Sequence, residues 1–177
     1  MHRINFVEIT PNDRQNIQQY SLSLAWGNLF VCANEKALSA ISFSPEANFT
    51  LRETDKFFPQ EVANFYAQIK DYFAGELQHF SLNLFRVGTP YQQKVWELLL
   101  QIPYGSTCSY VQLAEQLQDA QHIRAVARAN ATNPFAIVVP CHRVIGKNGQ
   151  LVGYAGGLEW KQKLLALEKA QFQGRLF

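Results

Sequence analysis

A proline stands in the middle of the chain's most apolar segment, I-V-V-P-C-H-R-V-I from Ile137 to Ile145, and it limits what that segment can become. Ile137, Val138 and Val139 form a β-branched run that predicts a short buried strand. Pro140 has no N–H to give to a ladder, so the strand is expected to end or bend there. Cys141 then sits at the rim of a rigid core element. A thiol in that place is reactive only if its pKa of ~8.5 is lowered or a base takes its proton. His142 is the nearest base, but neighbouring side chains on extended backbone point to opposite faces, so a water or a local turn has to link the two. An isolated Cys-His pair is ordinarily a buried small hydrophobe beside a surface histidine. The rest of the chain decides between the two.

Downstream of residue 88 the sequence is punctuated for helices. Thr89-Pro90 with Gln92 supplies an N-cap, a proline at the first helical position and a capping-box partner, predicting a helix through Leu100 that Pro103 terminates. Ser109 and Gln112 repeat the box and start a helix over Tyr110 to Leu117. After a polar turn, Gln118 to Gln121, a third helix is expected from His122 to Ala131. Asn133-Pro134 ends it, because a residue before proline avoids the helical region. Two short helices joined by a few residues is the helix-turn-helix plan. The third helix is slim, with Ala125, Val126, Ala127, Ala129 and Ala131, and Arg124 lies in its first turn. Such a helix suits either a shallow groove or close packing against another helix.

The first half reads differently. Tyr20–Trp26, Leu29–Ala33 and Leu38–Phe43 predict strands, with Gly27-Asn28 as a tight turn. Pro59 starts a helix whose apolar positions Val62, Phe65, Tyr66, Ile69, Tyr72 and Phe73 keep a 3.6 period, and Gly75 stops it. Leu82–Phe85 predicts one more strand. Composition shifts between Phe85 and Gly88, so the domains are expected at 1–87 and 88–177.

Charge follows the same division. Residues 1–87 hold 7 basic and 9 acidic side chains, net −2, whereas 88–177 hold 9 and 5, net +4. No acidic residue occurs from Ala120 through Leu158, a stretch containing Arg124, Arg128, Arg143 and Lys147. A surface like that suits a polyanion, although the surplus is too small for tight non-specific binding. Three cysteines, an odd count, argue against a disulfide framework and for a reducing, cytoplasmic compartment. Cys32 and Cys108 read as structural. No apolar run reaches the ~18 residues of a membrane span, and Glu8 interrupts what would be a signal peptide's apolar region. His2, Cys32 and His79 match no ligand spacing, so no metal and no cofactor are expected.

The words around Cys141 resemble one family. Asn133-Pro134, P-C-H-R-V-I at 140–145, Gly149 and G-Y-A-G-G-L at 153–158 are similar to the DNA repair methyltransferases that act on O6-alkylguanine. K-L-L-A-L-E at 163–168 continues the match. Upstream it takes in T-P-Y-Q-Q-K-V-W at 89–96, I-P-Y-G at 102–105, Ser109-Tyr110 and R-A-V at 124–126. The dense similarity covers residues 88–170, and the first 87 residues follow the family's amino-terminal half only loosely.

The resemblance implies an α+β chain. Its amino-terminal α/β domain would be ribonuclease H-like with a small antiparallel sheet, and its carboxy-terminal domain mainly helical, winged-helix-like, with a helix-turn-helix. It further implies a monomer that flips an O6-alkylguanine, or an O4-alkylthymine, out of double-stranded DNA and moves the alkyl group onto Cys141. His142 would take the thiol proton through a water, Glu168 would orient His142, Asn133 would fix the loop, and Tyr110 would assist departure of the base. Arg124 would enter the stack where the base leaves, from a helix whose Ala125 and Ala127 meet the minor groove, and Arg143 belongs to the same DNA-facing set. Tyr154 and Ala155 would wall the base, with Val144 at its edge. Ala136 stands where some relatives have proline, which leaves room for alkyl groups larger than methyl. Arg128 replaces a small residue of the family and would either contact phosphate or obstruct docking. The thioether product implies one turnover per chain. A non-transferring binder of alkylated DNA and a Cys-His-Glu thiol hydrolase are the alternatives.

Overall fold

The computed structural model describes residues 2–46, 51–52, 58–118 and 123–172. Backbone contacts divide the chain into two units, Met1–Val87 and Gly88–Phe177. No helix among the described residues is long and apolar enough to cross a membrane.

The first unit is built on a six-stranded sheet of spatial order β1-β6-β4-β3-β2-β5. β2 (Gln18–Leu24), β3 (Gly27–Ala33) and β4 (Leu38–Ser42) form its antiparallel centre. Parallel pairings flank that centre: β6 (Ser81–Arg86) lies between β1 (Arg3–Glu8) and β4, and β5 (Leu51–Arg52) lies beside β2. Leu24 pairs with Gly27, so the tight turn is Ala25-Trp26, two residues before the Gly27-Asn28 turn expected from sequence. Glycine at 27 belongs to the ladder instead, with φ of 128°. The short helix α1 (Pro11–Gln15) starts at a reciprocal capping box between Thr10 and Asp13. β1, α1 and β5 have no counterpart in the expectations from sequence. The helix α2 (Gln60–Phe73) buries Val62, Phe65, Ile69 and Tyr72, four of the six positions picked out by the 3.6 period.

The second unit is mainly helical. α3 (Pro90–Leu99) and α4 (Tyr110–Gln116) begin at complete capping boxes, Thr89 with Gln92 and Ser109 with Gln112. Each box satisfies amides that the helix itself leaves without partners, and replacing such a cap by alanine costs about 1 kcal/mol. α5 (Ile123–Ala131) packs against both, and the Trp96 indole N–H donates to the Ala129 carbonyl at 2.8 Å. The turn expected at Gln118–Gln121 and the helix start at His122 fall mostly outside the described residues. β7 (Cys108–Ser109) pairs in parallel with β8 (Val144–Ile145), and α6 (Leu158–Leu167) closes the unit.

The strand expected over Ile137–Val139 does not form. Those residues make a compact turn in which Val138 N–H reaches Ala136 O, Val139 N–H reaches Phe135 O and Cys141 N–H reaches Val139 O. Ile137 has φ of 71°, which a β-branched residue adopts only under strong local constraint. The turn leads into one turn of 3-10 helix, Cys141–Arg143. Cys141 therefore leaves a buried loop, not a strand end, and that loop is held by a side chain.

Candidate active site

That side chain is Asn133. Its Oδ1 accepts from Phe135 N–H at 3.0 Å, and its Nδ2 donates to Val139 O at 2.8 Å, closing the turn at both ends. The same Nδ2 lies 3.1 Å from Cys141 Sγ, so one amide both shapes the loop and offers a hydrogen bond to the sulfur. Cys141 is 5% exposed. Burial pushes its thiol pKa up, while the Asn133 donor, the Lys161 charge and nearby backbone amides pull it down, and burial wins. The thiol is thus protonated in the resting site and needs a base at the moment of reaction.

His142 supplies the imidazole. It is fully buried, and its Nε2 lies 2.9 Å from Glu168 Oε1. Burial lowers its pKa, and Glu168 only partly opposes this, so the ring is neutral near pH 7. An ionised carboxylate only accepts, so Nε2 carries the ring proton and Nδ1 keeps the basic lone pair. Nδ1 is buried and makes no hydrogen bond among the described residues. The arrangement is a base held in one tautomer by a carboxylate, the logic of nucleophile, base and orienter.

Glu168 ends α6 and is 2% exposed. Arg143 grips both its oxygens, with Nε to Oε2 and Nη2 to Oε1 at 2.9 Å each, and Gly105 N–H approaches Oε2 at 3.3 Å. Burial alone would raise the carboxyl pKa, but the hydrogen bonds from His142 and Arg143 and the Arg143 guanidinium charge outweigh it and hold the group well below the usual carboxylate range. Gly105 has φ of +75°, and a Cβ there would meet Glu168 O at 2.9 Å. The I-P-Y-G turn thus needs its glycine to come this close.

Arg143 is the main correction to the sequence analysis. Grouped there with the DNA-facing cations, it is 1% exposed, and its third contact is Nη1 to the Ile102 carbonyl at 2.6 Å. It is an internal clamp on Glu168.

A second buried cation, Lys161, escaped the sequence analysis. It is fully buried on α6, and its Nζ donates to Val144 O and Val152 O at 2.7 Å and to Gly153 O at 3.2 Å. Burial lowers its pKa to about 8. The lysine ties β8, next to the cysteine, to the start of the G-Y-A-G-G loop. A signal was present: Lys161 shares a helix face with Leu164 and Leu165, where a solvated lysine does not belong. Lys161→Met is expected to leave the Val144, Val152 and Gly153 carbonyls without their ammonium donor and lower stability by about 2–4 kcal/mol, read as a shift of the urea midpoint. An unchanged midpoint would mean that the ammonium holds nothing.

The remaining residues fall into an interior and a surface group. Ala136 and Val144 are buried. Tyr154 is half-buried with its ring edge-on to His142, centroids 6.4 Å apart, and Ala155 is exposed. Tyr110, the first residue of α4, is half-buried, and burial raises its phenol pKa. On α5, Arg124, Ala125 and Arg128 are exposed and Ala127 is half-buried. Arg124 and Arg128, four residues apart, share one face. The exposed cations of the acid-free stretch are thus Arg124, Arg128 and Lys147, without Arg143.

Both units match one family. Residues 90–170 match the 6-O-methylguanine DNA methyltransferase DNA binding domain, and residues 11–85 match the ribonuclease-like domain of the same methyltransferase. The chain belongs to the 6-O-methylguanine DNA methyltransferase family. A methylated-DNA–protein-cysteine methyltransferase of Mycobacterium leprae is 56% identical over 105 residues, covering 59% of this chain and 64% of that protein. The match thus spans less than two thirds of the mycobacterial relative. The Methanosarcina acetivorans methyltransferase is 42% identical over 147 residues, 80% of this chain and 92% of that one. Among solved structures, Mycobacterium tuberculosis OGT in complex with DNA superposes with a TM-score of 0.76 at 39% identity, covering 86% of this chain and 92% of that one. Family membership fits the α+β architecture, with a ribonuclease-like first unit and a helical second one.

Proposed function

We propose that this methyltransferase-family chain repairs alkylated double-stranded DNA by moving the alkyl group from O6 of guanine onto Cys141, once per molecule. The observation that carries this is the buried chain of neutral His142, Glu168 and Arg143 that begins at the residue after the buried Cys141. The lesion is shielded inside the duplex, so the nucleotide is flipped out at a cost of a few kcal/mol. Cys141 Sγ attacks the alkyl carbon as the S–C bond forms and the C–O6 bond breaks, and the electron pair stays on the guanine. The thiol proton passes through a bridging water to His142 Nδ1, whose imidazolium Glu168 stabilises. Asn133 holds the sulfur, and Tyr110 donates to the departing base. Tyr154, Ala155, Ala136 and Val144 form the walls. The chain acts as a monomer, and nothing in its chemistry cleaves the thioether.

Label transfer from a duplex carrying radiolabelled O6-methylguanine tests the proposal. One methyl per chain supports it; none indicates a binder, and repeated turnover indicates a hydrolase. The exposed face of α5 is the proposed groove contact. Arg124→Ala is expected to slow reaction with the duplex more than with a free O6-alkylguanine base, because its work is to fill the gap in the stack. Equal losses on both would remove it from that role. Arg128 lies on the same face, which favours a phosphate contact over obstruction. Arg128→Ala is then expected to weaken binding to all duplexes and reduce the salt slope by about one. Tighter binding of the variant would show that Arg128 obstructs docking.

A further inference from the structure

The inner face of α5 carries a polar residue that the proposed reaction has not used. Val126, Ala129 and Asn130 are the buried residues of this helix, and Asn130 is 4% exposed. An asparagine at a core position is out of place unless its amide has work to do. Its Nδ2 donates to the Tyr110 hydroxyl oxygen at 3.3 Å, linking α5 to the first residue of α4. Its Oδ1 is buried and has no hydrogen bond among the described residues. A half-satisfied buried amide costs free energy, which makes a purely structural role a poor explanation.

We infer that Asn130 is a positioning residue that sets the direction of the Tyr110 hydroxyl. A phenol has one hydrogen to donate and lone pairs to accept. With Asn130 donating to the oxygen, the hydroxyl hydrogen does not point at Asn130 and is left for another acceptor. In the alkyl-transfer proposal that acceptor is the departing guanine. The Asn130 bond also pulls the phenol pKa down, against burial, so it makes Tyr110 a better donor as well as an oriented one. Charge builds on the guanine as its alkyl group leaves, and an aimed O–H meets it without reorganisation. Because Asn130 is on the same helix as Arg124, the groove-facing side chains and the orienting amide move as one rigid element.

This inference rests on the alkyl-transfer proposal, and its test separates the two. Asn130→Asp keeps the shape but turns the donor into an acceptor, so Tyr110 would spend its hydrogen on the carboxylate. The single-turnover rate with an O6-methylguanine duplex is expected to fall about tenfold, as for one misdirected hydrogen bond. Affinity for an undamaged duplex should stay within about twofold, because Asn130 is buried away from the exposed face of α5. In the Tyr110→Phe background the same substitution should have no further effect on the rate. Asn130→Ala, measured in both backgrounds, provides the same cycle if the aspartate variant does not fold. An unchanged rate, or an equal fall with and without the Tyr110 hydroxyl, overturns the role of Asn130. Absence of methyl transfer by the wild-type chain would instead overturn the alkyl-transfer proposal itself.

Discussion

Cys141→Ser is expected to abolish alkyl transfer and leave duplex binding unchanged. Oxygen in place of sulfur keeps the volume and the Asn133 hydrogen bond, but a hydroxyl is far harder to deprotonate and a weaker nucleophile toward an alkyl carbon. Removing the nucleophile of a serine protease costs on the order of a millionfold in rate, and a loss beyond detection is expected here. The exposed side chains of α5 are untouched, so the affinity for undamaged duplex should not move. Intact mass after reaction should show one added methyl in the wild type and none in the variant. Peptide mapping then decides the site. Cys32 is a poor competitor, because burial, with the charge of Glu46 adding and Gln19 opposing, pushes its pKa to about 12. Burial raises the Cys108 thiol as well. A methyl on either of them would sink the assignment of Cys141.

Much of this site was legible in the sequence for local reasons. The capping boxes at Thr89 and Ser109 are short-range patterns whose two hydrogen bonds form within four residues, so the sequence places α3 and α4 closely. The words around Cys141 point to the family, and the structure does bring His142 and Glu168 together across 26 residues. What was not legible depends on long-range partners. A three-residue apolar run is too short to separate a strand from a buried turn. At Ile137–Val139 the Asn133 amide, several residues upstream, decides for the turn. Arg143 looked like a surface cation because arginine is rarely buried without a partner, and its partner lies 25 residues away. Lys161 is bound by carbonyls rather than a carboxylate, so no charge pattern announces it, and the only sign in the sequence is its place on the apolar face of α6 beside Leu164 and Leu165.

These burials have a common effect. Two cations that would be solvated in an ordinary domain are inside this one, and each fixes one side of the cysteine. Lys161 ties down the loop after β8, and Arg143 fixes the carboxylate that fixes the base. A buried ion pair is weak evidence for stability and better evidence for a defined geometry. In the proposed single-turnover reaction, a base locked in one tautomer before the substrate arrives matters more than extra stability.

Glu168→Gln brings these two roles into conflict. The wild-type carboxylate accepts from His142, from Arg143 twice and from the Gly105 amide. A glutamine turns one oxygen into a donor facing other donors and leaves the Arg143 charge buried without its partner. Breaking a buried pair from one side costs about 3–5 kcal/mol, so the urea midpoint should fall clearly. The acid response should change too. Because the Glu168 carboxyl is held well below its usual pKa, its contribution is fully present above about pH 4.3 and drains away as pH falls further. The variant should lack this part of the acid dependence. The single-turnover rate should fall about 100-fold, because a neutral amide neither fixes the tautomer of His142 nor stabilises its imidazolium. A loss of fold could mimic that result, and a second change separates them. Adding Arg143→Met removes the stranded charge, the costliest part of the broken pair, and so recovers much of the stability. If Glu168 acts on His142, the double variant regains its urea midpoint while its rate stays low. Recovery of both would mean that Glu168 only holds the fold and that His142 needs no orienting carboxylate.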